Sequence, residues 1–169
     1  RWLYVPAYYD EYRYILGTRG NNPLIAVGVN PSTAAPDALD NTLKSVERIA
    51  LGNGYDSFIM FNVYAQRATR PDDMERVCNS ALHEENRKAF RYLLSLSETP
   101  AIWAAWGNII EKRDYLMDCM RDFAADGQAA GARWFTAGPL LKSGHPHHPL
   151  YLKATTALQP FDIDAYLKR

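Results

Sequence analysis

The run Gly28-Val29-Asn30-Pro31-Ser32-Thr33-Ala34 gathers a carboxamide, two hydroxyls and two residues that shape the backbone. Gly28 lets a ligand or another backbone come close, and Pro31 fixes the direction in which the chain leaves. Asn30 then offers an amide able to orient a water or to pair with the edge of a base. Ser32 and Thr33 add hydroxyls and backbone donors suited to a phosphate or a water. The same stretch is also an ordinary strand-to-turn transition in which Asn30 caps local backbone. Both readings stand at this level.

A second cluster is Phe61-Asn62-Val63-Tyr64 followed by Arg67-Ala68-Thr69-Arg70-Pro71. Asn62 can read the donor–acceptor edge of a planar ring, Phe61 or Tyr64 can stack on its face, and Arg67 or Arg70 can reach a phosphate. Against that, such aromatics serve a core equally well, and loop arginines are commonly solvated. The third cluster is Gly144-His145-Pro146-His147-His148-Pro149-Leu150-Tyr151. Its prolines stiffen the loop, and an imidazole held there can donate to a leaving group or meet developing negative charge. Three close histidines also suggest a metal-dependent hydrolase. However, proline breaks the helix that sets two ligands at i and i+4, and no carboxylate is near in sequence, so we expect no metal and no cofactor. The phosphate-loop, dinucleotide-fingerprint and nucleophile-elbow patterns are missing. Cys78 and Cys119 fall on apolar helical stripes and read as packing residues.

The elements that must position these clusters follow from hydrophobic pattern and breakers. Tyr12 to Leu16 reads as a short strand. Leu24 to Val29 reads as a strand buried on both faces, Phe58 to Phe61 as a second buried strand, and Ala101 to Ala105 and Arg133 to Phe135 as a third and a short fourth. Asp40 caps a helix with Leu43, Val46, Ile49 and Ala50 on one stripe, ending at Gly52 or Gly54. Asp72, Asp73 and Glu75 favour a short helix start. Ser80 opens a longer helix with Leu82, Phe90, Leu93 and Leu94 inward. Ile109, Leu116, Met120 and Phe123 mark another, running to about Gly127. A long loop begins at Gly138-Pro139, and the spacing predicts a helix over Tyr151 to Leu158. Fourfold strand–helix alternation argues for an α/β domain spanning residues 1–169, with three layers (α/β/α) around a central, mainly parallel four-stranded sheet. Ligands of such folds bind beyond the carboxyl ends of the strands. Those ends are Asn30-Pro31-Ser32, Asn62-Val63-Tyr64, Trp106-Gly107-Asn108 and Thr136-Ala137-Gly138.

The chain has 169 residues, of which 47% are apolar and 22% charged, the mixture of a globular core with a solvated surface. Its 19 basic and 19 acidic side chains cancel, so a polyanion would have to be held by a local patch. No Asp or Glu occurs in residues 12–36, 57–71 or 127–161, which hold Arg13, Arg19, Arg67, Arg70, Arg133, Lys142 and Lys153. This predicts a basic edge of the sheet able to focus a phosphate-bearing ligand. No apolar run approaches the roughly 20 residues of a membrane span. The opening Arg1-Trp2-Leu3-Tyr4 lacks a signal-peptide pattern, and we expect a cytoplasmic protein.

These motifs resemble a bacterial and phage family described as domain of unknown function 1643. The matching residues are Gly28 to Ala34, Asp40 and Thr42, Asn62 with Arg67-Ala68-Thr69 and Pro71, Trp106-Gly107, Gly144-His145-Pro146 and His148-Pro149-Leu150-Tyr151. A more distant likeness joins the Gly-x-Asn-Pro turn, the strand-two Asn and the late His-Pro loop, in that order. It is similar to the uracil-DNA glycosylase superfamily, and it implies the three-layer fold. It also implies that Asn30 holds the hydrolytic water, Asn62 reads the base, and His145 or His148 stabilises the departing anion. Leu150 or Tyr151 would fill the gap in the stack. Asn30 stands where many members carry a carboxylate, and an amide cannot take a proton from water. The expectation is therefore an N-glycosidic hydrolase acting on a base in a nucleic acid or a nucleotide. The alternative is a non-catalytic module that binds a nucleotide or modified base.

Overall fold

A computed structural model describes residues 1–169. Its centre is a mixed sheet built on four parallel strands, β3 (Pro23–Gly28), β4 (Ser57–Asn62), β5 (Ala101–Ala104) and β6 (Arg133–Ala137). They lie in the order β4-β3-β5-β6. Alternate residues of β3 serve opposite faces, Ile25 and Val27 on one side and Leu24 and Ala26 on the other. Both faces are covered, which is why the strand reads as a continuous apolar run. Helix α1 (Asn41–Gly52) packs Leu43, Val46, Ile49 and Ala50 on one face. On the other lie α2 (Ser80–Leu94) and α3 (Tyr115–Ala129), through Leu82, Phe90, Leu93, Leu116, Met120 and Phe123. Phe61, Phe90 and Phe123 meet there with ring centroids 4.8 to 5.2 Å apart. Asp40 Oδ1 accepts from Leu43 N at 2.9 Å and so fixes where α1 begins.

The sheet has seven strands rather than four. Antiparallel strands extend it at both edges: β1 (Trp2–Val5) and β2 (Ile15–Thr18) beyond β4, and β7 (Leu158–Pro160) beyond β6. Only Ile15 and Leu16 of the strand expected at Tyr12 to Leu16 join β2, and Tyr12 instead makes a single bridge to Gln66. The helix expected over Tyr151 to Leu158 does not form. Tyr151 is in the left-handed region at φ 66°, which a helix excludes. Asn53, just past α1, donates to Thr156 O at 2.9 Å and accepts from Leu158 N at 3.0 Å. These long-range bonds override local helix preference and deliver the chain to β6 as a strand. The final helix, α4, comes later at Ile163–Leu167. Cys78 lies in the loop before α2 rather than on a helical stripe, although it still packs on the core. No helix is long and apolar enough to cross a membrane.

Candidate functional site

Beyond the carboxyl ends of β3 and β4 the chain is stitched into a rigid floor. Val63 N donates to Gly28 O at 2.8 Å and Tyr64 N to Val29 O at 2.9 Å, continuing the parallel ladder past the strands. Ala68 N donates to Pro31 O at 2.8 Å, and Asn30 Nδ2 donates to Ala68 O at 2.8 Å and Pro31 O at 3.1 Å. Two carbonyl acceptors on Nδ2 fix the amide's orientation and leave Oδ1 as a free acceptor. Asn30 thus caps backbone through Nδ2 and leaves Oδ1 unengaged.

Above this floor is a cavity of about 90 Å3 lined by Arg13, Gly28, Asn30, Pro31, Ser32, Asp40, Thr42, Asn62 and His148, among others. At about 30 Å3 per water, it has room for roughly three waters. Asn62, at 2% exposure, makes no side-chain hydrogen bond, and its Nδ2 is sealed from solvent without a partner. An orphaned buried amide costs about 1–3 kcal/mol. Gly28 explains how it fits: a Cβ there would stand 2.9 Å from Asn62 Oδ1 and 2.7 Å from Met60 Cε. His148 accepts from Leu150 N on Nδ1 at 3.1 Å. Burial, reinforced by neighbouring His147, pushes its pKa below the usual imidazole value against the pull of Asp40. The ring is therefore neutral at pH 7, with its proton on Nε2.

Arg13, which sequence reasoning placed on a basic edge but not among the site residues, also lines this cavity. It is 1% exposed, and Nη1 to Ala34 O at 3.3 Å is its only side-chain hydrogen bond, while Nε has no partner. Burial, and then the like charge of Arg67, lower its pKa to about 10. The signal was the odd cation in an apolar strand-like stretch, Tyr12-Arg13-Tyr14-Ile15-Leu16.

Other candidates go elsewhere. His145, 2% exposed, sits between Tyr166 OH at 2.7 Å and Glu111 Oε2 at 2.6 Å. Trp106 Nε1 donates to the same tyrosine oxygen at 2.9 Å, so His145 belongs to a buried clamp outside the cavity. His147 donates from Nδ1 to His148 O. The three imidazoles therefore have three separate sets of partners rather than one shared centre. Tyr64 is core, its hydroxyl donating to Glu75 and accepting from Asn79 N, and burial with the Glu75 contact drives its pKa up. Arg67 donates to Ser32 O at 2.6 Å and Ala34 O at 3.1 Å, and lies 3.8 Å from the Tyr9 ring centroid. It lines a neighbouring wider cavity of about 610 Å3 with Tyr9, Asp10, Glu11, Tyr12, Gln66 and Glu75. Arg70 is exposed and faces Asp73 at 3.5 Å. Thr33 and Tyr151 are exposed, Tyr151 at 97%, and neither they nor the half-buried Leu150 line the cavity.

The basic edge is also corrected. Arg19 follows β2 beside the amino end of β4, and Arg133 begins β6, so both lie at the opposite end of the sheet from the site. Arg13 and Arg67 are the cations that reach the strand ends near Asn30 and Asn62, and Asp40 enters from α1.

A family model described as a protein of unknown function (DUF1643) matches residues 13–150, and the chain belongs to that family. No curated protein and no solved structure matches it.

Proposed function

We propose that this member of the family hydrolyses an N-glycosidic bond in a nucleotide or a nucleic acid, with the edge of the base entering the small cavity. The observation that carries the reading is Asn62, 2% exposed, whose Nδ2 is buried without an acceptor. A planar ring presenting an acceptor beside a donor would satisfy both ends of the amide, once the atoms that cover Nδ2 shift to admit it. An engineered apolar cavity of about 150 Å3 holds one benzene molecule. At about 90 Å3, this one takes an edge and leaves the sugar at the mouth.

The remaining roles follow from which atoms are free. Asn30 Oδ1 can accept from a water and aim it at the anomeric carbon. Asp40 lines the same space, and its Oδ2 is free of the capping bond to Leu43 N. It supplies the proton acceptor that an amide cannot be. His148 Nε2–H is a neutral donor for the leaving base. The order of the sequence motifs, which resembles that of the uracil-DNA glycosylase superfamily, agrees with this class of bond.

The test is a mass-spectrometric search for free base from a panel of nucleosides, nucleotides and base-modified oligonucleotides. Release that disappears in Asn30→Ala and Asn62→Ala is the expected outcome. Unchanged turnover in both variants rejects the assignment. Saturable, time-independent binding without product identifies a binding module instead.

A further inference from the structure

We infer that the cavity at the carboxyl ends of β3 and β4 is an anion site, with the Arg13 guanidinium as charge partner for an oxygen-bearing anion of about phosphate size. The argument begins with how the chain treats its other arginines. Arg87 holds Asp126 through two bonds of 2.9 and 3.1 Å. Arg113 spends its nitrogens on the carbonyls of Asp72, Met74, Glu75 and Lys112. Arg13 is more buried than either, yet donates once, to a carbonyl at 3.3 Å. A guanidinium carries five N–H donors. A buried cation left so incomplete is unfavourable unless a partner arrives from outside.

Its surroundings supply the rest of such a site. Arg67 shares the Ala34 carbonyl with Arg13, so a second positive charge stands behind the first. Asn62 Nδ2 lacks an acceptor, and His148 and Ser32 line the same space. Asp40 lines the same space and attracts Arg13, so an incoming anion competes with it, but no ion pair within 4 Å joins the two. The volume, about 90 Å3, suits a group the size of roughly three waters.

An oxyanion of this kind has two sources, the phosphate group of a nucleotide or the deprotonated imide edge of a departed base. The inference stands on the cavity and not on the glycosidic reading. Calorimetric titration of the wild-type chain with inorganic phosphate, against chloride at matched ionic strength, examines the first source. Titration with an N–H-acidic pyrimidinedione, at pH values on either side of its own ionisation, examines the second. The expected result is binding of phosphate, or of the ionised pyrimidinedione over its neutral form, that weakens at least tenfold in Arg13→Met. That variant should melt no lower than wild type, because an unpaired buried charge has been replaced by an apolar chain of similar reach. Phosphate binding alone assigns the site to a phosphate group, and preference for the ionised ring alone assigns it to the departing base. Wild type indifferent to both anions, Arg13→Met retaining affinity, or Arg13→Met failing to fold would each overturn the inference. The first two outcomes leave base release from neutral nucleosides as an independent question.

Discussion

Replacing His145 by Phe separates the two histidines that the late loop offered for one role. His145 makes two side-chain bonds, to Tyr166 OH at 2.7 Å and to Glu111 Oε2 at 2.6 Å. Phenylalanine keeps a ring against Tyr166 and removes both. An ordinary buried hydrogen bond contributes about 1 kcal/mol net. The Glu111 side chain is 64% exposed, so its bond is discounted towards the ~0–1 kcal/mol of a surface pair. Tyr166 OH still accepts from Trp106 Nε1 at 2.9 Å, but with Nε2–H on Glu111 its own proton loses the Nδ1 acceptor, which costs about 1–3 kcal/mol. The expected loss is about 1–3 kcal/mol, or a fall in Tm of about 2–12 °C for a chain of this size. Base release, or anion affinity where no base is released, should stay within about threefold of wild type. In His148→Gln the pattern should invert, with Tm nearly unchanged and the functional readout down at least tenfold. Thermal unfolding and the ligand assay on the same preparations decide it. If His145→Phe abolishes function at a small thermal cost while His148→Gln does not, the chemistry lies at the clamp, and the strand-end site is wrong.

Gly28→Ala should act on the site more than on the fold. The new Cβ meets the flexible end of Met60, which can swing away, and Asn62 Oδ1, which must move. We expect a loss of about 1–3 kcal/mol with at least tenfold weaker ligand binding, checked by unfolding and titration. Stability against pH gives a second check. His148 titrates below the ordinary 6.5 in the folded chain, so the unfolded chain takes up its proton first as pH falls. This residue's contribution is therefore flat above about 6.5 and becomes destabilising between there and its depressed folded value. The difference in Tm between wild type and His148→Gln should shift in favour of the variant through that window on melts from pH 8 to 5. A constant difference would refute it.

The parallel strands and the helices between them were legible because their side chains solve local problems. Leu24 to Val29 must be dry on both faces, and Asp40 must cap something. What escaped was set by partners far away in sequence. Strand β1 is four residues long, and its place comes from pairing with β2. Residues after Tyr151 have helical composition, but Asn53 claims Thr156 and Leu158 from about a hundred positions earlier. The site shows the same division. Asn30, Asn62 and His148 were marked by their places after strands and beside prolines, and the structure brings them to one cavity. His145 carried the same local signal, and its capture by Glu111 and Tyr166 depends on α4, which the reading had not placed. Arg13 sat within an expected strand whose burial could not be read from its polar type.

Charge placement explains why a chain with no net charge can still build a selective site. Most of its acids and bases lie on helices or loops where they pair or are solvated, as Arg87 with Asp126 and Lys88 with Glu85. Such pairs create little field at a distance. The strand-end cavity differs because Arg13 is buried, barely bonded and backed by Arg67. The adjoining wider cavity has the opposite sign, with Asp10, Glu11 and Glu75 set against Arg67. A long phosphodiester crossing both would be repelled over the second, within a screening distance of about 8 Å at physiological salt. A small anion confined to the first meets the Arg13 guanidinium, backed by Arg67 and opposed by Asp40 alone. If the cavity does take a phosphate group, this arrangement favours a small anion over a strand lying along that side, and the preference rests on one arginine whose nearest acid, Asp40, makes no ion pair with it within 4 Å.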